Sequence, residues 1–159
     1  MMTNTHENIT LPAFEITLVE HNTTRQVDLA NFVKSSGQGL ILYFYPKDNT
    51  AGCSVQAVDF TVLKDEFTNK GYQIIGVSRD GIKSHHNFIS KKALNIALAS
   101  DTDEMLCQHF DVIKEKMMYG KTHLGVIRST FVFDKNGQMT ASYRNIKAKE
   151  HAKTLLNTL

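Results

Sequence analysis

The stretch from Leu40 to Ser78 constrains this chain more than any other. Leu40 to Tyr45 is an unbroken apolar and aromatic run, the pattern of a strand buried on both faces. Pro46 ends the run, because proline fixes φ and donates no backbone hydrogen bond. The polar turn Lys47-Asp48-Asn49-Thr50 then leads through Ala51-Gly52 to Cys53. Helical spacing follows. Val55, Val58, Val62 and Leu63 recur near one face, as do Phe60, Leu63 and Phe67, while Asp59, Lys64, Asp65 and Lys70 fill the exposed side. Gly71 closes this helix, and Gln73 to Ser78 reads as a second buried strand. Two buried strands joined by a helix form a parallel βαβ unit. Cys53 therefore sits at or within the first turn of a helix, at the carboxyl-end turn of a buried strand.

Strand-like and helix-like segments continue on both sides of this unit. Phe14 to Val19 alternates like an edge strand, and Asp28 is placed to cap a short helix through Lys34. Helices are predicted over Lys83 to Ala93 and Thr102 to Phe110, with a short strand at Ile96 to Ala99 between them. Ile127 to Phe133 and Gln138 to Arg144 read as strands joined by the turn Asp134-Lys135-Asn136-Gly137, and Ala148 to Leu159 as a closing helix. The expected fold class is α/β, a mixed central sheet flanked by helices on both faces. One domain over residues 1–159 is expected, with residues 1–11 a polar N-terminal extension.

Hydrophobic residues make up 42% of the 159 and charged residues 21%, as in ordinary globular chains. The net charge of +2 comes from interleaved Lys and Glu, which argues against a nucleic-acid partner. Neither a signal peptide nor a membrane-spanning run is visible, so a cytoplasmic protein with no membrane partner is expected.

The two cysteines, Cys53 and Cys107, are too few for a disulfide framework and lack the spacing of a zinc site. Among seven histidines only His85 and His86 are close in sequence, which suits surface polarity better than a metal. Gly120-Lys121-Thr122 imitates the end of a phosphate-binding loop, but Glu115 stands where the earlier glycine belongs. Met117 and Met118 read as packing or loop residues, and Arg144 as a solvated strand end that could otherwise assist a site on the neighbouring strand.

Cys53 is different. The nucleophile in thiol chemistry is the thiolate, and a helix N-terminus together with an arginine favours that anion. Ionisation alone falls far short of enzymatic rate enhancements, so fixed donors must also hold a reacting group in line with sulfur. Thr50, three residues earlier, has a hydroxyl that both donates and accepts. Pro46 stiffens the strand exit and shields the sulfur. Arg128 offers a planar fork of donors to sulfur and oxygen alike. Such a site suits a small oxidant, with no metal or organic cofactor.

The arrangement Pro46, three residues, Thr50, two residues, Cys53 resembles the signature of the peroxiredoxin family. The run from Tyr43 to Thr50 followed by Gly52-Cys53, together with Met118 to Lys121, Gly125 to Phe131, Pro12, Phe14 and His151, is similar to its bacterioferritin comigratory protein or Q-type branch. The likeness spans residues 12–159. It implies a thioredoxin-like fold and a thiol peroxidase reducing hydrogen peroxide and organic hydroperoxides. Cys53 would be its peroxidatic residue, passing through a sulfenic acid, and Thr50, Arg128 and Pro46 would complete the site. It also implies a monomer recycled by thioredoxin or another thiol such as glutathione or glutaredoxin.

Three positions depart from that branch. Val58 stands where many members carry a resolving cysteine, Gln56 where glutamate is common, and Ala51 where proline is frequent. Cys107, between Leu106 and Phe110, is either a buried packing residue or the resolving thiol. Without it the enzyme would be of the one-cysteine kind. A non-enzymatic redox sensor or holdase using an oxidisable Cys53 is the rival reading, and sustained turnover separates the two. A thioredoxin-type reductase is weaker still, because Gln56 replaces the second cysteine of its Cys-x-x-Cys motif.

Overall fold

A computed structural model describes residues 2–159. Its elements run Glu15–Glu20 (β1), Thr23–Asp28 (β2), Leu29–Ser36 (α1), Gly39–Phe44 (β3), Ala51–Asn69 (α2), Tyr72–Ser78 (β4) and Ile82–Lys92 (α3). Then follow Ala97–Ser100 (β5), Met105–His109 (α4), Ile113–Met118 (β6), Lys121–Val126 (β7), Ser129–Phe133 (β8), Met139–Tyr143 (β9) and His151–Thr158 (α5). Seven strands form one sheet in the order β2-β1-β5-β4-β3-β8-β9, and β6 and β7 form a separate hairpin. β3, β4 and β5 are parallel, whereas β1, β8 and β9 run antiparallel to their neighbours. This is the mixed α/β sheet that the sequence predicts.

Every residue of β3 is buried, and its alternating side chains divide the interior into two cores. Ile41 and Tyr43 join Phe60 and Phe67 of α2, Phe88 of α3 and Leu155 of α5 on one face. Leu40, Leu42 and Phe44 join Leu29 and Val33 of α1 and Leu106 of α4 on the other. Burying Phe60 and Phe67 contributes roughly 1.5–3 kcal/mol each. Gly39 opens β3 because a Cβ there would lie 2.5 Å from the Phe133 carbonyl oxygen across the strand pair.

Asp28 caps α1 as expected, its carboxylate accepting from the Asn31 N–H at 2.7 Å. Other expectations need correction. β1 is an interior strand, because β2 pairs along its outer side; β2 is polar and largely exposed, so it lacks the apolar alternation that marks a strand. The buried face of α2 is Cys53, Gln56, Ala57, Phe60 and Phe67, while Val55 and Val62 are exposed. α4 begins only at Met105, where the Asp101 carboxylate accepts from the Leu106 and Cys107 N–H groups. Met117 and Met118 are neither packed nor in a loop but stand exposed on β6.

Part of the N-terminal segment is tied to the sheet. Asn4 bridges Tyr143 of β9, the Thr5 N–H donates to the Ser142 carbonyl at 2.8 Å, and the Ser142 N–H donates to Asn4 Oδ1 at 3.1 Å. Arg144 completes the tie instead of facing solvent. Its Nε and Nη2 donate to the two Glu7 carboxylate oxygens at 2.8 and 2.9 Å, and it also reaches the Asp111 and Phe110 carbonyls.

The Arg144 hydrogen bonds hold the Glu7 carboxyl at about 2 against an ordinary 4.5, with partial burial opposing them. Because the folded value is the lower one, the pair stabilises the fold fully above the unfolded value, and that contribution fades as pH falls toward 2. Glu7→Gln is expected to cost about 1–2 kcal/mol in urea unfolding at neutral pH, after discounting for solvent screening. The two proteins should converge in acid; an equal difference at every pH would contradict the charge assignment.

Candidate active site

The turn after β3 delivers a reactive group because it passes directly into a long helix. Tyr45 is still tethered to the sheet through its N–H to the Val77 carbonyl at 3.0 Å. Pro46 follows, half-buried, and Asn49 takes the left-handed conformation, φ 59°, that asparagine tolerates in a tight turn. Thr50 is the N-cap of α2, with extended backbone, and its carbonyl accepts the first helical hydrogen bond from the Ser54 N–H at 2.8 Å. The Thr50 hydroxyl does not cap the helix; it donates to the Lys47 carbonyl at 2.8 Å. Cys53 falls in the first turn of this 19-residue helix, and only 2% of it is exposed.

Arg128 comes from 75 residues further on. The antiparallel pairing of β3 with β8 puts Ser129 opposite Phe44, so the residue before β8 arrives beside the exit of β3. Arg128 Nη2 lies 3.5 Å from Cys53 Sγ, and Nη1 donates to Gln56 Oε1 at 2.6 Å. The guanidinium therefore spans one turn of α2 with both arms of its fork. Gly52 leaves room for it, since a Cβ there would stand 3.3 Å from Nη2.

The fold sets further polar groups around this pair. Gln56 is wholly buried, and its Nε2 has no partner among the described residues. Lys116 reaches in from β6 to donate to the Val126 carbonyl at 3.0 Å, and burial, then Arg128, lower its basicity. His151 shares a hydrogen bond with the Thr130 hydroxyl at 2.9 Å; burial, then Arg128, bring it down to about 4, so it is neutral at physiological pH. His85, expected on the surface, is instead fully buried. It lies on the inward face of α3 with Phe88 and Ile89, bonded to Asp48 at 2.7 Å and to the Ala99 carbonyl at 3.0 Å. Helical spacing of His85 with that apolar pair was the available signal.

Cys107 is not brought to this site. It packs in the core on the opposite face of the sheet from Cys53, with Leu106, Phe110 and Val112. Burial, reinforced by Asp101, pushes its thiol well above the ordinary range, so it remains protonated.

A nucleophile-bearing first turn, a cation at the sulfur and a hydroxyl three residues away form a site for attack by a thiolate on a small electrophile. Known proteins share both sequence and fold with this chain. The AhpC/TSA family model matches residues 9–142. The peroxiredoxin Bcp of Xanthomonas campestris is 49% identical over 124 residues, covering 78% of each chain. The peroxiredoxin Bcp of Bacillus subtilis is 41% identical over 123 residues, 77% of this chain and 78% of its own. A structure of the Xanthomonas campestris bacterioferritin comigratory protein, described for its alkyl peroxide reduction activity, superposes with a TM-score of 0.84. It is 41% identical and covers 98% of this chain and 96% of its own.

Proposed function

Because the chain belongs to the AhpC/TSA family, as a peroxiredoxin of the Bcp type, we propose that Cys53, Thr50, Arg128 and Pro46 carry its peroxidase reaction and that no second cysteine takes part. The protein is a thiol-dependent peroxidase with a thioredoxin-like fold, and it reduces hydroperoxides at the expense of a thiol reductant.

In the proposed reaction the Cys53 thiolate attacks one peroxide oxygen. The S–O bond forms as the O–O bond breaks, and the departing oxygen leaves as water or an alcohol after taking a proton. Arg128 stabilises the thiolate through Nη2 and offers its remaining N–H groups to the peroxide oxygens. With its proton directed at the Lys47 carbonyl, Thr50 presents lone pairs that accept from the O–H of the hydroperoxide and orient it. Pro46 fixes the exit of β3 and limits water around the sulfur. The observation that carries this reading is the 3.5 Å approach of Arg128 to a buried cysteine in the first turn of a helix.

The resulting sulfenic acid has no internal partner, since the whole sheet separates Cys53 from Cys107. An external thiol attacks the sulfur and releases water, giving a mixed disulfide that a second thiol reduces. A thioredoxin-type protein, glutaredoxin or glutathione supplies these electrons, and the chain works as a monomer in the reducing cytoplasm. Among the described residues no helix is long and apolar enough to cross a membrane.

Intact mass after one equivalent of hydrogen peroxide, with a sulfenic-acid trap present, tests the recycling route. The trapped adduct is expected on both the wild type and Cys107→Ser. Loss of two hydrogens in the wild type alone would make Cys107 the resolving residue instead.

A further inference from the structure

The loop carrying Thr50 is anchored by a buried polar cluster that the sulfur chemistry does not itself use. Asp48 is 5% exposed. Its Oδ1 accepts from the Tyr45 hydroxyl at 2.7 Å, and its Oδ2 accepts from the Ser84 hydroxyl at 2.8 Å and faces His85 Nδ1 at 2.7 Å. The Asp48 N–H donates to Asp80 Oδ2 at 2.9 Å, and that carboxylate also accepts from the Ser78 hydroxyl at 2.6 Å. The second ring nitrogen of His85 faces the Ala99 carbonyl at 3.0 Å. Both partners of the imidazole are acceptors, a carboxylate and a carbonyl, so both ring nitrogens donate. The ring is thereby held as a double donor against the Asp48 carboxylate, out of reach of water. Removing either partner leaves a buried charge uncompensated.

Cys53 faces two demands that conflict. A small hydroperoxide needs the sulfur held rigidly beside Arg128, but a bulky thiol must later approach that same sulfur along the S–O axis. With Cys53 only 2% exposed, the second approach requires the first turn of α2 to move away. That turn starts at Ala51, three residues after Asp48, so whatever fixes Asp48 sets how readily it opens.

We propose that Asp48 and His85 form a charged latch that holds the Lys47 to Thr50 loop, favouring peroxide attack at Cys53 and restraining reduction of its sulfenic acid. Both are positioning residues, acting through the loop. This inference rests on the reading of Cys53 as the peroxidatic residue with an external thiol as reductant. In that second step the incoming thiol forms an S–S bond to Cys53, the S–O bond breaks, and its hydroxyl leaves as water with the thiol proton.

The test separates the two half-reactions in stopped flow, using hydrogen peroxide for the first and dithiothreitol on the preformed sulfenic acid for the second. His85→Asn keeps a donor toward Asp48 but loses the charge and the reach to Ala99. Tyr45→Phe removes only one hydroxyl and keeps the core filled. His85→Asn is expected to slow peroxide attack by about ten- to a hundredfold. It should speed the reaction with dithiothreitol by about tenfold. Tyr45→Phe is expected to move both rates in the same directions by less, and it carries the test should His85→Asn fail to fold. The wild-type His85 ring should show two protonated nitrogens in ¹⁵N spectra. Half-reactions that fall together, rates that do not move, or a neutral His85 ring would each overturn the latch alone. A wild type whose Cys53 is not oxidised by peroxide would overturn the underlying reading, and the latch with it.

Discussion

Cys53→Ser is expected to consume peroxide at least about a thousandfold more slowly than the wild type with a thiol donor present, the scale of loss when a catalytic nucleophile is removed. Serine is close in size and the site is already lined by hydrogen-bonding groups, so the fold should survive. The hydroxyl, however, stays protonated where a thiol can ionise, and oxygen is a poorer nucleophile toward O–O bonds. Peroxide loss followed over many turnovers, beside a thermal melt of the same sample, separates lost chemistry from lost structure. A folded variant that retains turnover within about tenfold of wild type would remove Cys53 from the nucleophile's role. The same assay disposes of the sensor or holdase alternative, because a sensor oxidised once shows no sustained consumption in the wild type.

Replacing Arg128 should have the second largest effect. Arg128→Met is expected to lower the second-order rate constant for peroxide by about a hundred- to a thousandfold, the loss typical of one preorganised donor to developing charge. Arg128→Lys should recover little of it. Lysine is a point charge on a flexible stem, and it cannot serve Gln56 Oε1 and Cys53 Sγ together as the guanidinium does at 2.6 and 3.5 Å. Full activity in Arg128→Lys would show that net charge alone matters and that the fork geometry does not.

Legibility in the sequence followed burial contrast. The β3-α2-β4 unit was readable because Leu40 to Tyr45 is apolar throughout and Pro46 and Gly71 punctuate it. Polar edge structure gave no such contrast. β2 and the β6-β7 hairpin are held by backbone hydrogen bonds between largely exposed residues, which leave no periodicity to detect. On α2, Val55 and Val62 are apolar yet exposed, so hydrophobicity there does not mark burial; the inward stripe is set by Cys53, Ala57, Phe60 and Phe67. In the site, Thr50, Cys53 and Arg128 could be named from sequence, but not the residues that hold them. Gln56, Asp48 and His85 are polar types usually found at the surface, and only tertiary pairing makes their burial tolerable.

The N-terminal tie to β9 has a bearing beyond the stability of one molecule. β9 is the last strand of the sheet, and a bare last strand offers a row of unpaired N–H and C=O groups to any other chain. Asn4 and Thr5 occupy part of that row, and the Glu7 to Arg144 pair sets charge beside it. The opposite margin, β2, carries exposed Arg25 and Gln26. Both rims of the sheet thus carry features that oppose strand-to-strand pairing with another chain.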